Sequence, residues 1–138
     1  MKFEIEFSGH PNVRSNHQKS IEITKSTSLT PSGDCIVGVG ATLGCAGLPE
    51  NIKTRLRTRG AHVTCTIRVK EYEFIVRGEG HPDLLLEDEE DIVIRKSSYV
   101  CPRTLAIRCD KASDVMPREM VAMLRDPGIR GRFEIAVD

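Results

Sequence analysis

Three histidines stand in segments whose composition suits a polar site. His10 and His81 each occupy a Gly-His-Pro turn, and His17 follows shortly after the first of these turns. Glycine lets the backbone turn tightly and proline stiffens the turn, so the imidazole between them is held in one direction. His10, His17 and His81 would ligate a metal if the fold brought them together, although their spacing matches no recognised ligand motif. The alternative is that each ring only caps a backbone carbonyl in a turn that the fold needs.

A second group of candidate residues lies in the segment Gly33-Asp34-Cys35. Asp34 is a candidate to orient His10 or His17 as a general base, and Cys35 would be a nucleophile if a neighbouring histidine lowered its pKa. These residues predict one class of function, a metal-dependent or His/Asp hydrolase. The alternative is structural, because Ser-Gly-Asp is ordinary turn composition and Cys35 begins an apolar stretch in which cysteine usually packs.

Two lysines beside hydroxyl side chains form the third group. Lys25 and Lys96 are each followed by two serine or threonine residues. Such a cluster at the end of a strand can hold a phosphate or a carboxylate, whereas its ordinary role is to protect a solvated strand edge. Together with Asn12 and His81, the lysines predict binding of a small anionic or nucleotide-like ligand in a polar cleft, which is the leading hypothesis for function.

A third hypothesis is association with RNA through a basic helix face. Lys53, Arg55, Arg57 and Arg59 alternate along one predicted helix and could contact phosphates. The chain nevertheless has a formal net charge of zero, two tyrosines, four phenylalanines and no tryptophan. Neutral charge and few aromatic rings argue against a general nucleic-acid coat, because phosphate attraction and base stacking are both poorly supplied.

The elements that must position these residues occur twice in the chain. Gly9-His10-Pro11 recurs as Gly80-His81-Pro82, and a run from Pro49 to Gly60 recurs, at a slightly shorter offset, as a run from Pro117 to Gly128. A repeat of about 70 residues indicates architecture more strongly than local propensity does. The first offset extends without a gap to Ala41, so Gly33-Asp34-Cys35 is predicted to lie opposite Thr104-Leu105-Ala106, which makes the acid and the thiol specific to the first half.

Alternating and helical spacings predict a βββαβ order in each half. One helix begins at Pro49 and ends at Gly60, and the other begins at Ser113 or Asp114 and ends near Gly128. A change of apolar phase predicts a tight turn or bulge at Lys70-Glu71. The predicted strands are residues 2–8, 21–23, 34–40, 62–69, 72–76, 91–96, 104–110 and 132–137.

The predicted fold class is α+β and β-rich. An internally duplicated βββαβ unit would form one pseudo-twofold, strongly bent or barrel-like antiparallel-rich sheet with two short helices. A half of about 70 residues would bury little surface alone, so residues 1–138 are predicted to form a single domain of two structural repeats, 1–70 and 71–138.

Cysteine usage and hydropathy predict the cellular setting. The five cysteines show no paired spacing, which favours a reducing, cytoplasmic location. The N-terminal segment lacks the apolar run of a signal peptide. The longest uncharged stretch, residues 35–49, is short and rich in glycine, so we predict no membrane span.

Several segments in a common order resemble a known family. The chain is similar to the archaeal proteins grouped as domain of unknown function family 371, and the similarity covers nearly the whole chain. The resemblance implies an archaeal, cytosolic source, and it assigns no activity and no functional residue. The segments that carry it are Gly9–Arg14, His17, Glu22–Lys25, Leu29-Thr30, Gly33–Ile36, Arg95–Ser97 and Asp110–Ala112.

Overall fold

The computed structural model describes residues 1–138 and contains eight strands and two short α-helices in two successive βββαβ series. The first series consists of β1 (Lys2–Ser8), β2 (Ser20–Thr24), β3 (Ile36–Gly38), a 3-10 turn (Cys45–Gly47), α1 (Glu50–Leu56) and β4 (His62–Val69). The second series consists of β5 (Tyr72–Glu79), β6 (Asp91–Arg95), β7 (Thr104–Ala106), a 3-10 turn (Ser113–Val115), α2 (Arg118–Leu124) and β8 (Arg130–Val137).

The strands form two four-stranded sheets, and neither sheet is closed into a barrel. Sheet A has the order β1-β8-β4-β5 and is antiparallel throughout, whereas sheet B has the order β3-β2-β6-β7 with an antiparallel centre and parallel outer pairs. The prediction of a strand-rich α+β fold with two helices is confirmed. The prediction of one sheet is corrected to two, because only isolated bridges at Ser8–Val39 and Glu79–Ile107 connect the sheets.

The hydrophobic core draws on both halves of the chain. Ile21 and Ile23 of β2 face apolar partners on β6, and Phe7 and Phe133 come from sheet A. Thirty-four buried residues form one apolar cluster. Unusually, all five residues of β2 are buried, including the polar Ser20, Glu22 and Thr24 that alternate with the isoleucines. Both faces of sheet B are therefore covered at β2. The face that carries the isoleucines is apolar, and the opposite face carries the three polar side chains.

Both α-helices have seven residues and depend on packing, since isolated helices of this length are not stable in water. Ile52 and Leu56 bury the inner face of α1, and Met120 and Leu124 do the same for α2. The first helix ends at Leu56, earlier than the Gly60 predicted from the sequence. No helix has the length and apolar character needed to cross a membrane.

Strand lengths differ from the predictions mainly at the edges of sheet B. Strands β3 and β7 have three residues each, because the predicted runs 34–40 and 104–110 pair only briefly with β2 and β6. Strand β5 extends to Glu79, beyond the predicted residue 76. The predicted tight turn between β4 and β5 is confirmed, and Lys70 adopts a left-handed φ of 53° there.

Candidate functional site

The two Gly-His-Pro turns bind the ends of the helices. The His10 N–H donates to the Leu124 carbonyl at 2.9 Å, and the His81 N–H donates to the Leu56 carbonyl at 2.9 Å. Each turn thus satisfies a carbonyl at the C-terminal end of a helix that belongs to the other half of the chain, where no intrahelical donor exists. This contact gives the turns a structural role that is independent of the imidazole rings.

The rings of these turns are oriented by the backbone. His10 Nδ1 accepts the Asn12 N–H and His81 Nδ1 accepts the Asp83 N–H, both at 3.0 Å. A ring nitrogen that accepts a hydrogen bond carries no proton, so this network assigns the remaining proton of the neutral ring to Nε2. The Asn12 side chain is also engaged, because its Nδ2 donates to the Leu29 carbonyl at 2.7 Å.

His17 closes a turn in the same way. Its Nδ1 accepts the N–H groups of Lys19 at 3.2 Å and Ser20 at 3.1 Å. Asp88 stands at the matching position of the second half, and its carboxylate accepts two backbone N–H groups in the same pattern. His17 therefore does what a carboxylate does in the other half, and it adds an Nε2–H with no hydrogen-bond partner in the protein.

The structure does not bring the three histidines together. His17 lines a cavity with Asp34, His81 lines a different cavity with Arg59 and Arg108, and His10 lines neither. No group of three or more His, Cys, Asp and Glu side chains is placed to hold a metal. In each ring the Nδ1 lone pair is already used and Nε2 carries the proton, which makes the rings donors for an acceptor atom and not metal ligands.

A polar cleft lies between the two halves of the chain, and we call it the Lys19–Lys96 cleft. Its main cavity measures about 490 Å³, and an adjoining cavity of about 300 Å³ shares two of its lining residues. Of the residues predicted from the sequence, Lys96 lines the main cavity, and His17 and Asp34 line the adjoining one. The lining consists of Asn16, His17, Gln18, Lys19, Asp34, Lys96, Ser97 and Asp114.

The main cavity of the cleft has an excess of positive charge, whereas the adjoining cavity sets Asp34 against Lys19. The Lys96 N–H donates to the Lys19 carbonyl at 2.9 Å, which holds the two residues side by side. All nine ion pairs of the protein involve other residues, so both ammonium groups are free. Asp114 is the only acid in the main cavity. Two neighbouring cations with one carboxylate attract an anion. Sequence reasoning missed Lys19, because the matching position in the second half is Glu90 and not a lysine.

Lys25, the counterpart of Lys96 in the sequence repeat, lines a separate cavity of about 390 Å³. Glu89 stands there at the position that matches Gln18, and Ala46 stands at the position that matches Asp114. This cavity has one lysine and one glutamate. The two lysines therefore face surroundings of different charge, and they do not form one site.

A buried polar cluster lies at the centre of sheet B. Glu22 is 5% exposed, and its Oε1 lies 3.3 Å from Arg103, which also contacts the Asp91 carboxylate at 3.2 Å. Burial raises the pKa of Glu22 to about 7, the Asp91 carboxylate adds to the rise and Arg103 opposes it. Sequence reasoning missed this cluster, because Glu22 alternates with Ile21 and Ile23 as a solvent-facing residue would.

Cys35 belongs to this buried cluster. Its Sγ lies 3.7 Å from Glu22 Oε1. Burial raises the pKa of Cys35 to about 11, and the Glu22 carboxylate adds to the rise. At neutral pH the side chain is a thiol, which is a weak nucleophile. Asp34 makes no side-chain hydrogen bond to His10 or His17; its carbonyl accepts the Asn16 N–H at 3.1 Å.

Cys101 has a different environment from the other cysteines. Burial raises its pKa, but hydrogen bonds from the Thr104 hydroxyl, the Arg103 N–H and the Arg95 guanidinium outweigh burial, and the pKa of Cys101 lies below its ordinary value. Burial raises the pKa of Cys45 and of Cys109 to about 12 each. All five cysteines are free.

Backbone hydrogen bonds correct the predicted correspondence around Cys35. The Glu22 N–H donates to the Cys35 carbonyl, and the Val93 N–H donates to the Arg103 carbonyl, both at 2.8 Å. Cys35 therefore corresponds to Arg103 and not to Ala106. The difference in length between the halves lies in the loops before β3 and β7, where no regular pairing constrains the chain.

Two of the four cations on the predicted RNA-binding face are used inside the protein. The Lys53 Nζ donates to the Ala46 carbonyl at 2.9 Å, and the Arg57 guanidinium donates to the carbonyls of Leu84 at 2.9 Å and Leu85 at 2.6 Å. These contacts tie α1 to the loops around it. They leave Arg55 and Arg59 as the exposed charges of this segment.

The fold and the cleft define a strand-rich α+β protein of two four-stranded sheets with a polar cleft between its halves. The family model described as domain of unknown function (DUF371) matches residues 5–138, and the chain belongs to this family. An uncharacterized protein of the archaeon Methanocaldococcus jannaschii is 40% identical over 126 residues, which are 91% of this chain and 93% of the relative. The family resemblance seen in the sequence is confirmed. Neither description names a reaction or a ligand.

Proposed function

We propose that the protein binds a small anionic, nucleotide-like ligand in the Lys19–Lys96 cleft. The observation that carries this proposal is the meeting of two unpaired ammonium groups, one from each half of the chain, at one cavity. Two cations that line one cavity attract an anion to it. The arrangement therefore favours the binding of an anion.

Neutral donors around the lysines suit the same ligand. Gln18 and Ser97 line the main cavity, and His17 lines the adjoining one with an Nε2–H that has no partner. No apolar side chain lines either cavity. A lining of cations and hydrogen-bond donors favours oxyanions such as phosphate or carboxylate over apolar molecules.

Tyr99 is the residue we propose for contact with a base. Its N–H donates at 3.3 Å to the Oγ of Ser97, which lines the main cavity. The residue is 60% exposed, and the Arg95 guanidinium lies 5.0 Å from the ring centroid. A ring held by a cation on one face is pre-oriented for stacking a base on the other.

Charge removal in the cleft tests this proposal. Lys19→Gln and Lys96→Gln are each expected to weaken the binding of adenosine monophosphate by about tenfold, because each removes one charge-assisted contact worth about 1.4 kcal/mol. Lys25→Gln is the matched control, since Lys25 occupies the corresponding position of the repeat and lines a separate cavity. The affinity of this variant for adenosine monophosphate should stay within about twofold of the wild-type value. Isothermal titration calorimetry at low salt measures all three variants.

Two comparisons define the result that refutes the proposal. Equal loss of affinity in Lys25→Gln and Lys96→Gln would mean that general surface charge, and not the cleft, attracts the nucleotide. Tyr99→Ala should weaken the binding of adenosine monophosphate and leave the affinity for ribose 5-phosphate unchanged. An equal loss of affinity for both compounds would show that Tyr99 does not stack on the base.

We also propose that residues 1–138 form one domain built from two duplicated units, 1–70 and 71–138. The identical order of elements supports it, as does the register in which Glu22 lies opposite Val93, its own counterpart in the sequence repeat. Thr66 likewise lies opposite Glu134, its counterpart at the shorter offset of the later segments. A pseudo-twofold axis through these pairs would relate the halves.

Separate expression of residues 1–70 and 71–138 tests whether the two units fold only as a single domain. Neither half is expected to unfold cooperatively alone, because β1 pairs with β8 and each helix end is bound by a turn of the other half. Circular dichroism melts of each half and of their equimolar mixture measure this. A sharp melt of either isolated half would contradict the proposal.

A further inference from the structure

A third cavity, of about 280 Å³, lies at the Gly80-His81 turn. It has no lining residue in common with the Lys19–Lys96 cleft. Its lining comes from the end of the α1 region, the end of β5 and the segment after β7. The residues are Arg59, Gly60, Glu79, Gly80, His81, Ile107 and Arg108.

Two guanidinium groups dominate the charge of this cavity. Arg59 takes part in none of the ion pairs or side-chain hydrogen bonds of the protein. The Arg108 guanidinium makes only a long contact of 3.9 Å with Glu79, and the side chain remains 67% exposed, while the Arg108 N–H donates to the Ser97 carbonyl at 2.9 Å. Guanidinium groups present planar forks that match the oxygens of phosphate. One carboxylate against two such cations leaves a net positive charge.

Neutral donors complete the lining. The His81 ring accepts the Asp83 N–H through Nδ1, which leaves an Nε2–H free to donate. The Gly60 N–H has no partner within the protein, whereas the N–H of Gly128, its counterpart in the second half, donates to Asp126 Oδ1 at 2.8 Å. The donor that is satisfied in the other half is therefore left open at this cavity.

Neither arginine has a counterpart of the same type at the other Gly-His-Pro turn. Gly40 and Pro127 stand at the positions that match Arg108 and Arg59 in the other half. Arg108 has a φ of 51° and Gly40 a φ of 58°. The left-handed region suits glycine and is unfavourable for a residue with a Cβ. A strained arginine where the corresponding residue is glycine is the pattern of a site kept for function.

We infer that this cavity is a second anion site that binds the phosphoryl group of a small phosphorylated compound. The donors come from Arg59, Arg108, His81 and Gly60, and a phosphoryl group has three oxygens to accept them. A carboxylate has only two. The cavity volume of about 280 Å³ is sufficient for such a group.

Titration with inorganic phosphate and with ribose 5-phosphate, followed by amide chemical shifts, tests the inference on the full chain. Shifts are expected at Gly60, Gly80 and Arg108. Arg59→Gln and Arg108→Gly should each weaken binding about tenfold, and Arg55→Gln, an exposed α1 arginine outside the cavity, should change it less than about twofold. Arg108→Gly should also keep or raise the melting midpoint, because glycine relieves the left-handed φ.

The outcomes separate this inference from the proposed function. A chain with both Lys19→Gln and Lys96→Gln should keep the shifts at Gly60 and Gly80, whereas the Arg108 amide, which donates to the Ser97 carbonyl, reports on both sites. Unchanged phosphate affinity in Arg108→Gly, or shifts confined to Ser97 and Lys96, would overturn the inference. A short single-stranded RNA that displaces phosphate with a steep salt dependence would overturn the small-molecule assignment in favour of a nucleic acid.

Discussion

Replacement of Gly80 by alanine is expected to destabilise the fold by roughly 2–4 kcal/mol. A Cβ at Gly80 would overlap the Leu56 carbonyl oxygen, and a Cβ at Gly9 would overlap the carbonyl oxygens of Leu124 and Asp126. These atoms belong to the backbone at the helix ends, so they cannot rotate away as a side chain would. The turn must move, and the hydrogen bond from the His81 N–H to the Leu56 carbonyl is lost with it.

Urea unfolding of Gly80→Ala and Gly9→Ala measures this cost. Gly128→Ala is the matched control, because a Cβ there would meet only the Asp126 side chain, at 3.3 Å. The control should lose less than about 1 kcal/mol. Equal losses in Gly80→Ala and Gly128→Ala would show that the approach of the turn to the helix end is not what requires glycine.

Replacement of Glu22 by glutamine is expected to stabilise the protein at pH 8 by roughly 1–3 kcal/mol and to have little effect at pH 4. Burial and the Asp91 carboxylate raise the pKa of Glu22 from its ordinary 4.5 to about 7. The folded protein therefore holds this proton more tightly than the unfolded chain does. The stabilisation from the raised pKa is complete below pH 4.5 and is lost as the pH rises through 7. Glutamine is neutral at every pH, so it avoids that loss.

Unfolding free energies of the wild type and of Glu22→Gln between pH 4 and pH 8 measure the effect. Glu119→Gln is the control for removal of one carboxylate, because Glu119 is exposed on α2, and its difference from the wild type should stay within about 0.5 kcal/mol. A constant difference between Glu22→Gln and the wild type over this range would mean that Glu22 ionises as it does in the unfolded chain.

The elements of this fold were readable from local pattern, because side-chain alternation and helical spacing are properties of neighbouring residues. Strand β4, residues 62–69, matches its predicted bounds, and the turn at Lys70-Glu71 lies where the apolar phase changes. The short strands β3 and β7 were predicted too long. The ends of these strands depend on how many of their residues pair with β2 and β6. The local sequence pattern carries no information about that pairing.

The candidate site was predictable only in part. His17, Asp34 and Lys96 do share a cleft, but His10 and His81 are held at separate helix ends. The partner that completes the cleft, Lys19, lies in a loop with no counterpart of the same charge. A search for residues shared by both halves cannot find such a position, because Glu90 stands at the position that matches Lys19.

The sequence by itself determined the family and the order of the elements, since each depends on residue type and spacing along the chain. Only the tertiary structure decided that the strands divide into two sheets, that Cys35 corresponds to Arg103, and that Glu22 is buried. The physical reason is that burial and charge pairing depend on loops and strands far apart in sequence. Glu22 and Arg103, for example, are distant along the chain, yet Glu22 Oε1 lies 3.3 Å from Arg103 Nη1.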